Sequence, residues 1–396
     1  MQRPIPWRQI LTFDRLWPVV VAALGIVPGV LLIVEVWQVD PDGVSSTSGK
    51  WPTWDFTNLW AGGVLASSGR LETLFDPQAY TQWLRDLLSP RIEESEWSYP
   101  PTMLLLGLPL AKLPLIPAYL AWTAGTLALF WAALRWGGLG LAACAAALLS
   151  PAVLHNIALG QNGALTGALL AGALLLAQKR PVASGVLMGL LAVKPHLGVL
   201  LPVCVLAQRN WRALGWAALT AASVVALSAA VLGLDAWRLF FLHTGPKMRA
   251  VLEAPWPTGF QISSITVFLM VRALGASVWL AYAVQGAVAL ACAALAWRAW
   301  RGDDADPQAR MALTAALTLL ASPYGYSYDM LAFTAGVAAL MARAGWRVPA
   351  LLALAWLWPG LTHLATYHFM PISPLVIAAA AFLAWRGLKA PALAPK

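Results

Sequence analysis

What most constrains this chain is the recurrence of apolar stretches, many near twenty residues long, from one end of the sequence to the other. A helix of about twenty apolar residues covers the roughly 30 Å of hydrocarbon in a bilayer. Open sheets and lipid-exposed loops are excluded from that region, because their backbone groups would lack hydrogen-bond partners. The expected fold class is therefore an all-α polytopic membrane protein, read as a single membrane domain over residues 1–396. Composition agrees: 60% of the residues are hydrophobic and only 11% are charged, whereas a soluble domain carries roughly a quarter charged residues. The 22 tryptophans suit the two membrane–water interfaces, where indole rings concentrate.

The first span covers residues 16–37. Arg3, Arg8 and Arg15 precede it, which places the N-terminus in the cytoplasm. With no small-residue cleavage site, the segment reads as a retained signal anchor. Residues 39–98 then form a first extracytoplasmic loop that holds most of the acids. In it, DFTNLWAGGVLASSG and DPQAYTQWLRDLL read as short amphipathic helices lying on the membrane, joined by the turn GRLETLFDP. YPPTMLLLGLPLAKLPLIP is too short and too rich in proline for an ordinary span, and reads as a re-entrant hairpin. Further spans are expected at 116–135, 138–155, 162–178, 182–193, 197–208, 211–232, 275–297, 310–321, 328–343, 348–361 and 373–386, about twelve crossings in all.

This threading sends Arg135, Lys179, Arg180, Arg209, Arg212, Arg298, Arg301, Arg310, Arg343, Arg347, Arg386 and Lys389 to the cytoplasm, as the positive-inside rule requires. The C-terminus follows them, and residues 233–274 become a second extracytoplasmic loop. The expected location is the inner (plasma) membrane. The net charge of +9 is spread over short turns rather than gathered in a patch, so nucleic acid is not an expected partner. Cys144, Cys204 and Cys292 each sit in an apolar run without a CxxC partner, which supports neither a disulfide framework nor a zinc site. P-loop, Rossmann, HExxH and GxSxG patterns are absent from the sequence.

The unusual polar groups converge on the outer face: Asp55 and Asn58 from WPTWDFTN, His155, Asn156, Gln161 and Asn162 from HNIALGQN, and Lys194 and His196 from VKPH. Arg238, His243, Lys247 and Arg249 come from the second loop, Tyr324, Tyr326, Tyr328 and Asp329 from SPYGYSYD, and His363 and His368 from the last outer turn. Polar groups at membrane depth are costly, and function is the usual reason they are kept. Each also has a plainer reading. Asp55 could cap the helix that follows it, Lys194 could snorkel to the interface, and the tyrosines could form an aromatic belt.

Taken together, one carboxylate, several cations and aromatic platforms fit the transfer of a sugar from a lipid phosphate to a hydroxyl. The acceptor hydroxyl needs a base. The departing polyprenyl phosphate gains charge that Lys or Arg would stabilise, and aromatic faces would stack on sugar rings.

The order of motifs is familiar. Asp55 with its helix, then GRLETLFDP, YPP, PLAKLP, GQN, KP and SPY, resembles glycosyltransferase family 87 between Asp55 and about Asp329. The resemblance implies a GT-C fold, an extracytoplasmic active site, a polyprenyl-phosphate-linked sugar as donor, a lipid or glycan as acceptor, and inverting transfer without a metal or other cofactor. It implies Asp55 as the catalytic base, with Lys194 and Gln161 at the donor phosphate or sugar and Tyr324 and Asp329 lining the same cavity. His196, Asn162, Lys247, Arg249, Tyr328 and His363 are further candidates for donor binding. The alternative from another class is a polytopic transporter or lipid flippase. A carrier should show paired halves, and the acidic first loop has no counterpart in the second half of the chain.

Overall fold

The computed structural model describes residues 13–302, 305–346, 348–368 and 370–388, with side chains from Trp17 onward. Arg3, Arg8, Arg347 and Lys389, and the side chain of Arg15, lie outside the described residues. The described chain is helical throughout and has no strand, only two isolated β-bridges, Val39 with Ser45 and Ser264 with Tyr326.

The N-terminal part contains α1 (Phe13–Val36), α2 (Asp55–Ser67), α3 (Leu71–Phe75), α4 (Pro77–Leu87), α5 (Pro101–Leu110) and α6 (Leu115–Trp136). The middle contains α7 (Leu141–Leu148), α8 (Pro151–Ala158), α9 (Gly163–Leu176), α10 (Pro181–Leu190), α11 (Leu201–Ala207) and α12 (Trp211–Leu232). The second loop is itself helical, with α13 (Leu234–Leu239), α14 (Gly245–Glu253), α15 (Gly259–Ile262) and α16 (Val267–Ala273). The chain continues through α17 (Val278–Trp300), α18 (Pro307–Ala321), α19 (Leu331–Arg343), α20 (Ala350–His368) and α21 (Ser373–Gly387).

Among the described residues, four helices are long and apolar enough to cross a membrane: Trp17–Val36 within α1, α6, α12 and α17. A fifth span forms if α7 and α8, bent by 43° at their junction, count as one. The other expected spans are shorter helices, such as the 14 residues of α9, 15 of α18 and 13 of α19. Membrane helices of full length are thus present, and the figure of about twelve crossings stays an expectation. Three of these short helices are innermost. Almost every side chain of α9, α18 and α19 is buried, whereas α12 buries only Ala213 and Ser228. Helices that touch protein on all sides do not need to match the bilayer, whereas the bare ones are solvated by lipid.

Arg310, expected in a cytoplasmic turn, is instead fully buried in α18. Its guanidinium lies 5.5 Å from the Trp300 ring, and its Nε donates to the Ala299 carbonyl at 3.0 Å. Small residues set the closest helix contacts, as is usual where lipid removes the hydrophobic drive between helices. Gly25 and Gly29, four apart on α1, face Trp356 of α20 and Leu154 of α8, and a Cβ on either would come within 2.5 Å of those side chains.

The first outer loop departs from the sequence reading at one important point. α2 does not lie on the membrane as an amphipathic surface helix. It buries Phe56, Thr57, Leu59, Ala61, Gly62, Gly63 and Leu65 and packs on α5, where a Cβ on Gly63 would sit 2.2 Å from the Gly107 carbonyl oxygen. Only α4 keeps the amphipathic pattern, with Tyr80, Thr81 and Leu84 buried. The YPP segment enters α5, a ten-residue helix stacked on α2. The loop before α2 is pinned from outside: Arg91 pairs with Asp40 at 2.7 Å and Asp42 at 3.2 Å, and Lys50 pairs with Glu93 at 3.2 Å.

Candidate active site

Asp55 begins α2 at a backbone corner. Trp54 before it has φ 41°, a left-handed conformation that a bulky residue adopts only when its surroundings hold it there. Those surroundings come from the α8–α9 turn. The Asp55 amide donates to the Leu159 carbonyl at 3.0 Å. Gly160 lies so close that a Cβ there would be 2.1 Å from the Thr53 carbonyl oxygen. The glycine of GQN thus lets two segments a hundred residues apart meet edge to edge.

No side chain caps α2, so the helix-cap reading of Asp55 does not hold. Its carboxylate instead accepts the Gln161 Nε2 proton at 2.5 Å. Burial pushes the Asp55 carboxyl up from the ordinary 3.8 to about 6, against the opposing pull of the Gln161 hydrogen bond and of the Lys50 and Lys194 charges.

A second polar cluster stands beside it. The Lys194 ammonium donates to Asp329 Oδ1 at 2.5 Å and to Asn162 Oδ1 at 3.1 Å, and lies 5.2 Å from the centre of the Tyr328 ring. The Asp329 side chain is fully buried, and its Oδ2 accepts the Tyr326 amide at 3.1 Å. Lys194 is therefore not a snorkelling surface lysine but half of an internal ion pair. The SPYGYSYD tyrosines form a stepped wall, with Tyr326 and Tyr328 stacked at 5.3 Å and Tyr324 edge-on to Tyr326 at 5.9 Å.

These groups line a cavity of about 1220 Å³. Its polar lining includes Asp55, Gln161, Lys194, His196 and Tyr328, and its apolar lining includes Val225 of α12 with Trp237, Phe240 and Phe241 after it. His363 reaches the cavity from α20, its Nε2 2.7 Å from Ser263 Oγ. His196 Nε2 is buried without a hydrogen-bond partner. Asn162 and Asp329 stand behind Lys194, and Tyr324 lines the wall.

Other expected residues are used elsewhere. Lys247 and Arg249 are not among the lining residues, and Arg249 pairs with Glu253 at 2.8 Å on the exposed side of α14. Asn58, though at the rim, ties the loop together by donating to the Glu96 carbonyl at 2.9 Å and accepting from Tyr80. His155 is buried behind His363, ring centres 5.7 Å apart.

The sequence reading missed Lys50, Glu96 and Tyr99, all of which line the cavity. Lys50 lies 5.2 Å from the Trp54 ring centre. Glu96 is held above the ordinary carboxylate range by burial, in part offset by Lys247 and Lys50. The available signal was proximity in sequence: Lys50 directly precedes WPTWD, and Tyr99 opens the YPP motif.

The sequence profile of glycosyltransferase family 87 matches residues 97–323, more than half of the chain. The matched stretch takes in YPP, GQN and KP and ends within SPY, leaving Asp55 and Asp329 outside it although the resemblance was expected to reach both. No curated protein and no solved structure matches the chain. With a family-wide match running through the elements that build the cavity, the chain belongs to glycosyltransferase family 87 and is a membrane glycosyltransferase.

Proposed function

We propose that the chain transfers a sugar from a polyprenyl phosphate to a hydroxyl of a lipid or glycan at the extracytoplasmic face of the inner membrane, with both termini cytoplasmic. The observation that carries this reading is a partly buried carboxyl, Asp55, on the wall of a large cavity lined by both polar and apolar side chains. A base must be ionised at working pH yet retain affinity for a proton, and a carboxyl near 6 meets both needs. Asp55 takes the acceptor hydroxyl's proton as the acceptor oxygen attacks the anomeric carbon; the bond from that carbon to the phosphate oxygen breaks on the opposite face, polyprenyl phosphate leaves with the electron pair, and this single displacement inverts the configuration.

The Lys194 ammonium has three N–H bonds. Asp329 and Asn162 take two, and the third serves the donor phosphate. His196, with its unpartnered Nε2, is the neighbouring donor for the same group. The wall of Tyr324, Tyr326 and Tyr328 stacks the sugar, mannose or another hexose or a pentose, and the Val225–Phe241 side meets the first isoprene units. In keeping with what the family resemblance implies, the transfer is proposed to need no metal.

The test uses purified full-length protein, synthetic polyprenyl-phosphate sugars and a membrane lipid extract as acceptor, with release of polyprenyl phosphate as the readout. Asp55→Asn is expected to slow release by about 10²- to 10⁴-fold. Equal release by variant and wild type removes Asp55 as base, and lipid movement across vesicles without any sugar transfer replaces the reading with a flippase.

A further inference from the structure

We propose that Gln161 is the positioning residue for Asp55, selecting which carboxylate oxygen is free to take a proton; the inference rests on the reading of Asp55 as base. The resemblance suggested a different duty for Gln161, contact with the donor. The hydrogen bonds argue otherwise. A carboxylate can only accept, so the Gln161 side chain must present its NH₂ to Asp55 Oδ2. Its carbonyl oxygen then points the other way, where two donors meet it: the Tyr99 hydroxyl at 3.5 Å and the Asn162 amide at 3.4 Å. An inverted amide would set oxygen against carboxylate on one side and N–H against donors on the other, so only one orientation is stable.

The backbone of Gln161 is held as firmly as its side chain. Its N–H donates to the Asn156 carbonyl at 2.9 Å, and its own carbonyl accepts from the Trp122 indole at 3.4 Å. Gln161 is buried. With Oδ2 engaged, Oδ1 is the oxygen left to act, and the hydrogen bond restrains rotation of the carboxylate.

The same bond has an electrostatic effect. It favours the ionised form of Asp55 against burial. The other charged or titratable groups around Asp55 are Lys50 from the preceding loop, Lys194 after α10, Glu96 and Tyr99 before α5, and Tyr328 before α19. None of them donates a hydrogen bond to the carboxylate, so Gln161 alone couples its direction to its charge.

The test combines a readout that needs no substrate with one that does. The carbonyl stretch of protonated Asp55 is followed by infrared difference spectroscopy against pH and identified by its loss in Asp55→Asn. Gln161→Met keeps the side-chain length and removes the donor. The midpoint of the band is expected to move upward by on the order of one pH unit. In the donor-release assay kcat is expected to fall about 10- to 100-fold, with KM for the polyprenyl-phosphate sugar little changed and the acid limb of the pH profile displaced in the same direction. Tyr99→Phe, which removes one of the two donors at the far end of the amide, gives a smaller shift of the same sign and decides the matter if Gln161→Met does not fold. An unmoved midpoint together with a raised KM overturns the inference and returns Gln161 to donor binding, while the base reading stands on Asp55→Asn. Full activity of Asp55→Asn sinks the base reading instead, whatever the infrared midpoint does.

Discussion

At the scale of single residues, Asp55 carries a pH signature in both activity and stability. Folded Asp55 keeps its proton up to about pH 6, whereas the unfolded side chain loses it near 3.8. Between those values the folded chain binds the extra proton, so stability falls as pH rises through the window and stays reduced above it. Asn carries no such penalty. Asp55→Asn is therefore expected to be the more heat-stable protein at pH 7.5, by on the order of 3 kcal/mol, with the difference gone below pH 4; differential scanning fluorimetry in detergent reads it. On the proposed base role, wild-type activity is expected to run the opposite way, rising from pH 5 to 7 as Asp55 ionises. The stability given up to hold an ionised carboxylate in this place is what function extracts from the fold. Lys194 and Asp329 behave differently, because each neutralises the other. Removing one strands a buried charge at a cost of about 3–5 kcal/mol. Lys194→Met and Asp329→Leu are thus each expected to lower the melting temperature steeply, and the double variant to recover much of the loss. Activity lost in Lys194→Met alone consequently does not measure phosphate binding. Of these residues, Asp55 stood out in the sequence because an acid among tryptophans is conspicuous. Its partner did not, since Gln161 lies 106 positions away, and neither did the pairing of Lys194 with Asp329 across 135. Local pattern carries no information about such contacts.

At the scale of elements, hydropathy located the long helices well. The expected 211–232 is α12 without change, and 116–135 is α6 within a residue at each end. Helix identity was less legible where small residues rule. α2 reads as amphipathic because its glycines look like weak polar positions, yet those glycines are the contact surface against α5. Gly63→Ala must push the two helices apart to clear a backbone carbonyl. Overpacking of this kind costs about 1–3 kcal/mol or more, and it displaces Asp55 at the start of the same helix. The variant is expected to melt lower and to lose activity together. Gly125→Ala is the control: a Cβ there meets nothing within 4 Å in α6, and the substitution should leave the melt unchanged or raise it slightly, since Ala is the better helix former. Turns were legible for another reason. GQN and SPY announce themselves by residue type, and both lie at the cavity.

At the scale of the whole molecule, the proposed orientation makes a clean prediction, because Cys144, Cys204 and Cys292 are all buried and give little background to thiol labels. A cysteine at Arg70, exposed between α2 and α3, should react with an impermeant maleimide on intact cells. One at Arg301, exposed after α17, should react only after permeabilisation, and the reverse pattern would invert the topology. The number of crossings was the least legible feature, because a helix shielded by its neighbours no longer has to obey the bilayer's length. That shielding has a consequence of its own. α9, α18 and α19, with 13 to 15 residues, rise only about 20 Å, some 10 Å less than the hydrocarbon around them. The GQN turn leads into α9 and SPYGYSYD joins α18 to α19, so residues of the cavity wall stand at the ends of these short helices. With the shortfall at this end, the bilayer would thin over the cavity, and the proposed lipid-borne phosphate would reach it without pulling its chain out of the bilayer. Acyl-chain length thereby becomes a tuning parameter, and reconstitution into thicker bilayers should slow turnover by lifting the headgroups away from Asp55.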